Sequence, residues 1–198
     1  MYYPNFPKEC KSLLCKYLTQ EVFEALRDYK TDFNFTLEQA IHSGVVNIDS
    51  GIGVYAGDEE SYELFSPLFN PIIEEYHGFA KEDRHKSNLN PDDLLAPNPD
   101  THGDFIISTR IRVGRNLKDF PLGPAISQTG RLEVEKKVSI ALSSLNGELK
   151  GQYYPLLGMS EKVQSELIED HFLFKEGDRF LEAAGLNHDW PEGRHYRC

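Results

Sequence analysis

Apolar residues recur at helical spacing in the first eighty residues and again beyond residue 130, and a polar, proline-containing stretch separates the two regions. Between residues 8 and 29, Val22, Phe23, Leu26 and Tyr29 fall on one side of a helix, with Thr19 available as an N-cap. Thr36 and Gln39 have the spacing of a capping box. The helix they open is expected to run from Leu37 to Ser43 and stop at Gly44, where a left-handed C-cap costs nothing sterically. Asp58 can cap a short helix reaching Glu63, and Ser66 with Pro67 opens a longer one ending around His77 and Gly78. The amino-terminal third is therefore expected to be helical, its apolar stripes forming a core.

From Lys81 to Gly103 the chain is dominated by Asn, Asp, Pro, Lys and Ser, with almost no apolar periodicity, and reads as a linker. Phe105 to Arg115 then reads FIISTRIRVGR, a predicted strand because β-branched and aromatic residues favour the pleated conformation. Ser108, Arg110 and Arg112 share one face of it, and Thr109, Ile111 and Val113 the other. Same-face residues in a strand lie roughly 6.6 Å apart. Two guanidinium forks at that spacing can grip different oxygens of one extended anion, and an edge strand with solvated arginines fits the spacing equally.

A helix is predicted from about Arg131 to Leu145, with Val134, Val138, Leu142 and Leu145 in one stripe, followed by an extended segment from Lys150 to Leu156. Ser160 opens a further helix expected to turn Val163, Leu167 and Ile168 inward, and the apolar run Phe172 to Phe174 follows His171. The pattern divides the chain into a helical region (1–80), a linker (81–103) and an α+β region (104–198).

The formal net charge of −11 argues against nucleic-acid or anionic-membrane partners, which demand a basic face. Within this acidic chain, Phe105 to Lys118 carries Arg110, Arg112, Arg115 and Lys118 and no acidic residue, a positive island suited to a small anionic ligand. No apolar run approaches the ~18 residues that span a bilayer, and the start MYYPNFPKEC has no signal-peptide pattern, so a soluble cytoplasmic protein is expected. Cys10, Cys15 and Cys198 are odd in number and lack metal-ligand spacing; they read as ordinary thiols.

Two further features can carry chemistry. Ser50 to Tyr55 reads SGIGVY, and its two glycines allow either a plain turn or a nest of backbone N–H groups that binds an anion. His171 sits where a helix hands over to an apolar run, placed to donate to phosphate, stack on a base or satisfy a neighbouring carboxylate.

SGIGVY, ISTRIRVGRN, YYPLLGM, DHFLFKEGDRF and DWPEGR occur in the order and spacing of the phosphagen kinases, the ATP:guanidino phosphotransferases. The chain resembles that family from about residue 10 to Arg194, and its glycine loop and EGDRF segment resemble the arginine kinases most. The resemblance implies a small all-helical amino-terminal domain, then an incomplete α/β domain with a mainly antiparallel sheet flanked by helices. It implies reversible transfer of the γ-phosphoryl group of ATP to the guanidino group of L-arginine, with Mg²⁺ held mainly through the nucleotide. Ser108, Thr109, Arg110, Ile111, Arg112 and His171 would bind ATP or ADP. Ser50, Gly51, Ile52, Gly53, Val54 and Tyr55 would bind the guanidino substrate, the N–H groups of Ser50 to Gly53 holding its carboxylate with the Tyr55 hydroxyl nearby. Asp49 and Arg179 would bridge the two domains.

Family members continue past DWPEGR with a further long segment, whereas this chain reads His195, Tyr196, Arg197, Cys198. The resemblance places the carboxylate that positions the guanidinium, the reactive cysteine, further phosphate-binding arginines and the closing loop in that segment. No catalytic residue is therefore assigned. The isolated chain is expected to be a truncated form with negligible activity, because single electrostatic contributors are commonly worth ~10²- to 10³-fold each. The alternatives are a non-catalytic splice or truncation product, a phosphagen kinase for creatine or taurocyamine, or an acidic interaction module whose five motif matches are accidental.

Overall fold

The computed structural model describes residues 2–107, 109, 114–170 and 177–197, the last three by their backbone alone. The apolar stripe of residues 8–29 forms two helices rather than one: α1 (Leu13–Tyr17) and α2 (Gln20–Leu26). The reason is that two caps lie within one periodic window. The Ser12 side chain accepts the N–H of Cys15 and starts α1, Leu18 leaves helical geometry, and Thr19 accepts the N–H of Val22 and starts α2. Leu14, Leu18, Phe23 and Leu26 are buried, but Tyr29 lies beyond α2 and is exposed.

The capping box at Thr36 and Gln39 opens α3 (Leu37–Val46), which passes through Gly44 and ends at Asn47. Gly44 is thus not the predicted C-cap. Asp58 caps α4 (Ser61–Leu64) from three residues away, accepting both the N–H and the hydroxyl of Ser61. Thr31 donates to the same buried carboxylate, which ties the α2–α3 connection to α4. The next helix, α5 (Ser66–His77), has Pro67 in its first turn and ends at Gly78 with φ of 73°, as its sequence predicts. Ser66, read as its cap, is instead the first helical residue, and Phe65 takes the cap position without a side-chain hydrogen bond. Phe23, Phe35, Phe65, Leu14, Leu37 and Ile41 fill the core between these helices. Burial of such side chains contributes about 1.5–3 kcal/mol each.

Lys16 on α1 and Tyr17 beside it both donate to Glu75 on α5. The Lys16 hydrogen bond, then that of Tyr17, holds the Glu75 carboxyl below its ordinary value. This tie therefore stabilises the fold above the unfolded carboxyl's pKa of about 4.3, and is lost as pH falls through the lower folded value. Unfolding curves of the chain and of Glu75→Gln are expected to differ at neutral pH and converge in acid. A difference that persists at low pH would show that charge is not its source.

Residues 81–99 are exposed, with one 3₁₀ turn at Pro91–Asp93. The strand predicted from Phe105 to Arg115 is not formed at its described residues. The Asp100 carboxylate accepts the N–H groups of Phe105 at 2.8 Å and Ile106 at 2.7 Å, so a local turn uses donors that a strand ladder would need. Ser108, Arg110, Ile111, Arg112 and Val113 lie outside the described residues.

Beyond it, α6 (Gln128–Ser143) is capped by Ser127 and keeps Val134, Val138 and Leu142 half-buried. The segment read as extended contains β1 (Tyr153–Pro155), antiparallel to β2 (His195–Arg197), with Tyr154 opposite Tyr196. Ser160 caps α7 (Glu161–Glu169), which buries Leu167. Ile168, predicted to face inward, is 47% exposed, because one helical step rotates it about 100° from Leu167. The short α8 (Arg179–Ala183) is opened by Asp178, whose carboxylate accepts the N–H groups of Phe180 and Leu181. The architecture is α+β, with a helical amino-terminal part followed by helices and a small antiparallel sheet.

The cysteines require a correction. Cys10 and Cys15, read from sequence as ordinary thiols, are joined by a disulfide with their Cα atoms 6.4 Å apart. The Ser12 cap folds the intervening residues back on themselves, a geometry that the spacing does not announce.

Candidate functional site

The glycine loop lies between α1 and α3, held by its carbonyl groups. Leu13 donates to the Gly51 carbonyl at 3.0 Å and Leu14 to the Ile52 carbonyl at 2.9 Å. Both donors belong to the first turn of α1, whose initial N–H groups have no partner within the helix. A trans peptide points its N–H opposite to its C=O. With the carbonyls of Gly51 and Ile52 on α1, the N–H groups of Ile52 and Gly53 face away from it. Among the described residues, the N–H groups of Gly51, Ile52 and Gly53 have no hydrogen-bond partner, whereas that of Ser50 donates to the Asn47 carbonyl at 2.9 Å. Three of the four N–H groups expected to meet a carboxylate are thus free, and the Ser50 N–H is engaged within the chain.

The far side of the loop rests on α3. Gly53 has φ of 89° and packs directly on Gly44: a Cβ at position 44 would lie 2.3 Å from the Gly53 carbonyl oxygen. Tyr55 donates its N–H to the Ala40 carbonyl at 2.9 Å. Ile52 and Val54 also line an apolar hollow of about 340 Å³ against Phe69, Ile72 and Tyr76 of α5. The helices α1 and α3 therefore hold the loop's backbone, while Ile52 and Val54 border the hollow against α5.

The same surface of α3 receives α8. Ser43, fully buried, donates its hydroxyl to the Phe180 carbonyl at 2.7 Å. The half-buried Tyr55 phenol is pushed up by burial; the Ser43 hydroxyl beside it opposes this, and the Asp178 charge adds to it. The Tyr55 hydroxyl thus sits under the start of α8, beside Ser43. Arg179 pairs with Asp49 at the edge of the loop and stacks on the Phe180 ring at 4.6 Å. Both partners are more than half exposed, so this pair contributes little stability and serves mainly to orient.

Of the residues expected to bind nucleotide, Ser108, Arg110, Ile111, Arg112 and His171 lie outside the described residues, and Thr109 is exposed and belongs to no helix or strand. Sequence reasoning missed Ser43 and Gly44, the residues on which loop and α8 meet. Their signal was a small-residue pair inside an amphipathic helix, read there as a helix end. It also missed Leu13 and Leu14, whose backbone donors leave no mark in sequence.

The described residues hold no cluster of three or more His, Cys, Asp or Glu able to bind a metal, and no helix among them is long and apolar enough to cross a membrane. Residues 8–74 match the ATP:guanido phosphotransferase N-terminal domain, and residues 133–197 the ATP:guanido phosphotransferase C-terminal catalytic domain. An arginine kinase of Anthopleura japonica is 57% identical over 96% of this chain and 27% of its own length. Another, of Penaeus vannamei, is 56% identical over 94% of this chain and 52% of its own length. The chain thus spans about half the length of the second relative and about a quarter of the first. Among solved structures, the duplicated taurocyamine kinase of Schistosoma mansoni superposes with a TM-score of 0.85 at 36% identity, over 96% of this chain and 27% of that one. A lombricine kinase does so with the same TM-score at 28% identity, over 98% of this chain and 53% of that one. With domain matches at both ends of the chain and one fold shared throughout, the protein belongs to the ATP:guanido phosphotransferase family.

Proposed function

We propose that the chain contributes the guanidino-substrate end of an arginine kinase-type enzyme, a cytoplasmic phosphotransferase that moves the γ-phosphoryl group of ATP reversibly onto L-arginine. The observation that carries this reading is the glycine loop, whose carbonyls are tied to α1 while the N–H groups of Gly51, Ile52 and Gly53 remain free. A backbone nest of this kind suits a carboxylate, which distinguishes an amino-acid substrate from a bare guanidine. Greater identity to the arginine kinases than to the taurocyamine kinase favours arginine.

Phosphoryl transfer depends on alignment and on neutralising the charge that spreads over the phosphate oxygens. In this reading the loop fixes one end of the acceptor, and Ser108, Thr109, Arg110, Ile111, Arg112 and His171 meet the nucleotide, which brings its own Mg²⁺. Residues 1–80 form the helical substrate domain, 81–103 a linker and 104–198 the first part of the catalytic domain. The Asp49–Arg179 pair and the Ser43 hydroxyl join the two.

The test is an amide titration of the ¹⁵N-labelled chain with L-arginine, with agmatine, which lacks the carboxylate, and with creatine. Arginine is expected to shift the Gly51, Ile52 and Gly53 signals, with agmatine at least ~10-fold weaker, the loss of a charged hydrogen-bonded partner being worth about 1.5–3 kcal/mol. Equal responses to arginine and agmatine would remove the carboxylate nest, and a preference for creatine would remove arginine as substrate. In a coupled assay with arginine and MgATP, the 198 residues alone are expected to turn over at least ~10²-fold more slowly than a full-length arginine kinase.

A further inference from the structure

We propose that Cys10 and Cys15 form a thiol–disulfide switch that sets how firmly the glycine loop is held against α1. The bond closes a six-residue ring around the start of α1, with Ser12, the N-cap, inside it. Ser12 is 1% exposed and lies against both sulfurs, its hydroxyl within 3.5 Å of the Cys10 Sγ and 3.2 Å of the Cys15 Sγ. It also accepts the Cys15 N–H at 3.1 Å. The two residues between Ser12 and Cys15 are Leu13 and Leu14, whose N–H groups hold the Gly51 and Ile52 carbonyls. The disulfide therefore encloses the donors that fix the loop, and the Leu14 side chain also forms the wall beside Gly53.

This turn depends on external constraint. Isolated helices shorter than ~12–15 residues are marginal in water, and α1 has five residues. The ring supplies constraint by restricting the chain whenever the turn opens. Both cysteines are half-buried rather than enclosed, so a small thiol can reach them.

The switch runs by thiol–disulfide exchange with a low-molecular-weight thiol such as glutathione. A thiolate attacks one sulfur, forming a mixed disulfide and releasing the other cysteine as a thiolate. A second thiolate attacks the mixed disulfide at the small-molecule sulfur, releasing the first cysteine and one oxidised thiol dimer. Two electrons pass to the protein, and the two protons of the consumed thiols end on Cys10 and Cys15. The oxidised dimer reverses both steps.

Regulation of substrate binding through this switch rests on the proposed role of the loop; the mechanical link does not. The test uses the full chain with Cys198→Ser, compared in glutathione disulfide and in reduced glutathione. Alkylation and mass measurement count free thiols, and amide exchange follows Leu13, Leu14 and Gly51 to Gly53. Reduction is expected to speed exchange at Leu13 and Leu14 by ~10-fold or more, the scale set by loop closure over six residues. It should also shift the Gly51 to Gly53 signals. The added Cys10→Ser/Cys15→Ser variant is expected to resemble the reduced chain in both buffers; if it fails to fold, the two redox forms of the parent decide alone. Free thiols at both positions in glutathione disulfide, or equal exchange in the two forms, would overturn the switch. Arginine titration of each form is read separately: redox-dependent exchange with no arginine response leaves the switch standing and removes the substrate reading.

Discussion

Gly44→Ala is expected to displace the glycine loop and to destabilise the chain by about 2 kcal/mol. The new Cβ would stand 2.3 Å from the Gly53 carbonyl oxygen and 2.5 Å from its Cα, against an ordinary separation of roughly 3.5 Å. Both atoms are backbone, so no side-chain rotation relieves the contact. Gly53 also packs against the Leu14 side chain, which narrows the space around it. Alanine improves helix propensity by about 1 kcal/mol over glycine, and overpacking of this severity costs about 3 kcal/mol or more. Urea unfolding gives the stability change, and the Gly51 to Gly53 amide signals report the displacement. An alanine variant of unchanged stability with unmoved loop signals would mean that the α3–loop contact does not hold the loop.

Asp189→Asn is expected to cost a further 2–3 kcal/mol at a different place. Arg131, at the start of α6, has a side chain only 9% exposed and pairs with Asp189, while its second terminal nitrogen donates to the Ile126 carbonyl at 3.0 Å. Its Nε is buried with no partner among the described residues. Burial, then the charge of Arg131, weakens the proton affinity of the neighbouring Arg194, and Asp189 opposes this. Removing the carboxylate leaves the buried Arg131 guanidinium without its counter-charge and removes the negative charge that offsets its repulsion with Arg194. Breaking a buried pair in this way commonly costs about 3–5 kcal/mol; the 44% exposure of the Asp189 side chain moves the expectation below that range. Asparagine is the informative replacement because Asp189 has φ of 56°, a conformation it tolerates. Adding Arg131→Met should recover most of the loss, since replacing both members of a buried pair by apolar or neutral groups is often neutral. Failure of the double variant to recover would point to backbone strain rather than charge.

The two variants separate the halves of the molecule. Gly44 acts through the loop and α3, whereas Asp189 fixes DWPEGR against the first turn of α6, where Gly193 also packs on Arg131. The two sites are joined through α8, which rests on α3 by way of Ser43.

Local chemistry was legible in the sequence wherever one segment settles its own hydrogen bonds. The caps at Thr19, Thr36 and Ser160, and the glycine stop at Gly78, depend on residues within one turn of each other. The five motif matches named the family for the same reason, because order and spacing are properties of the chain itself. Readings failed where another group, near or distant in the chain, competed for the same backbone or space. Phe105 and Ile106 have strand-forming side chains, but the Asp100 carboxylate takes their N–H groups. Gly44 has the composition of a helix end, but its lack of a side chain admits Gly53 instead.

By itself, then, the sequence determined the helical amino-terminal part, its core stripes, the glycine loop and the family. Tertiary structure alone decided that the Gly51 and Ile52 carbonyls go to Leu13 and Leu14, that the Gly51, Ile52 and Gly53 N–H groups find no partner among the described residues, and that Cys10 meets Cys15. Backbone donors and acceptors are the same at every residue but proline. Which of them pair, and which remain for a ligand, is settled only when the folded chain brings distant segments into contact.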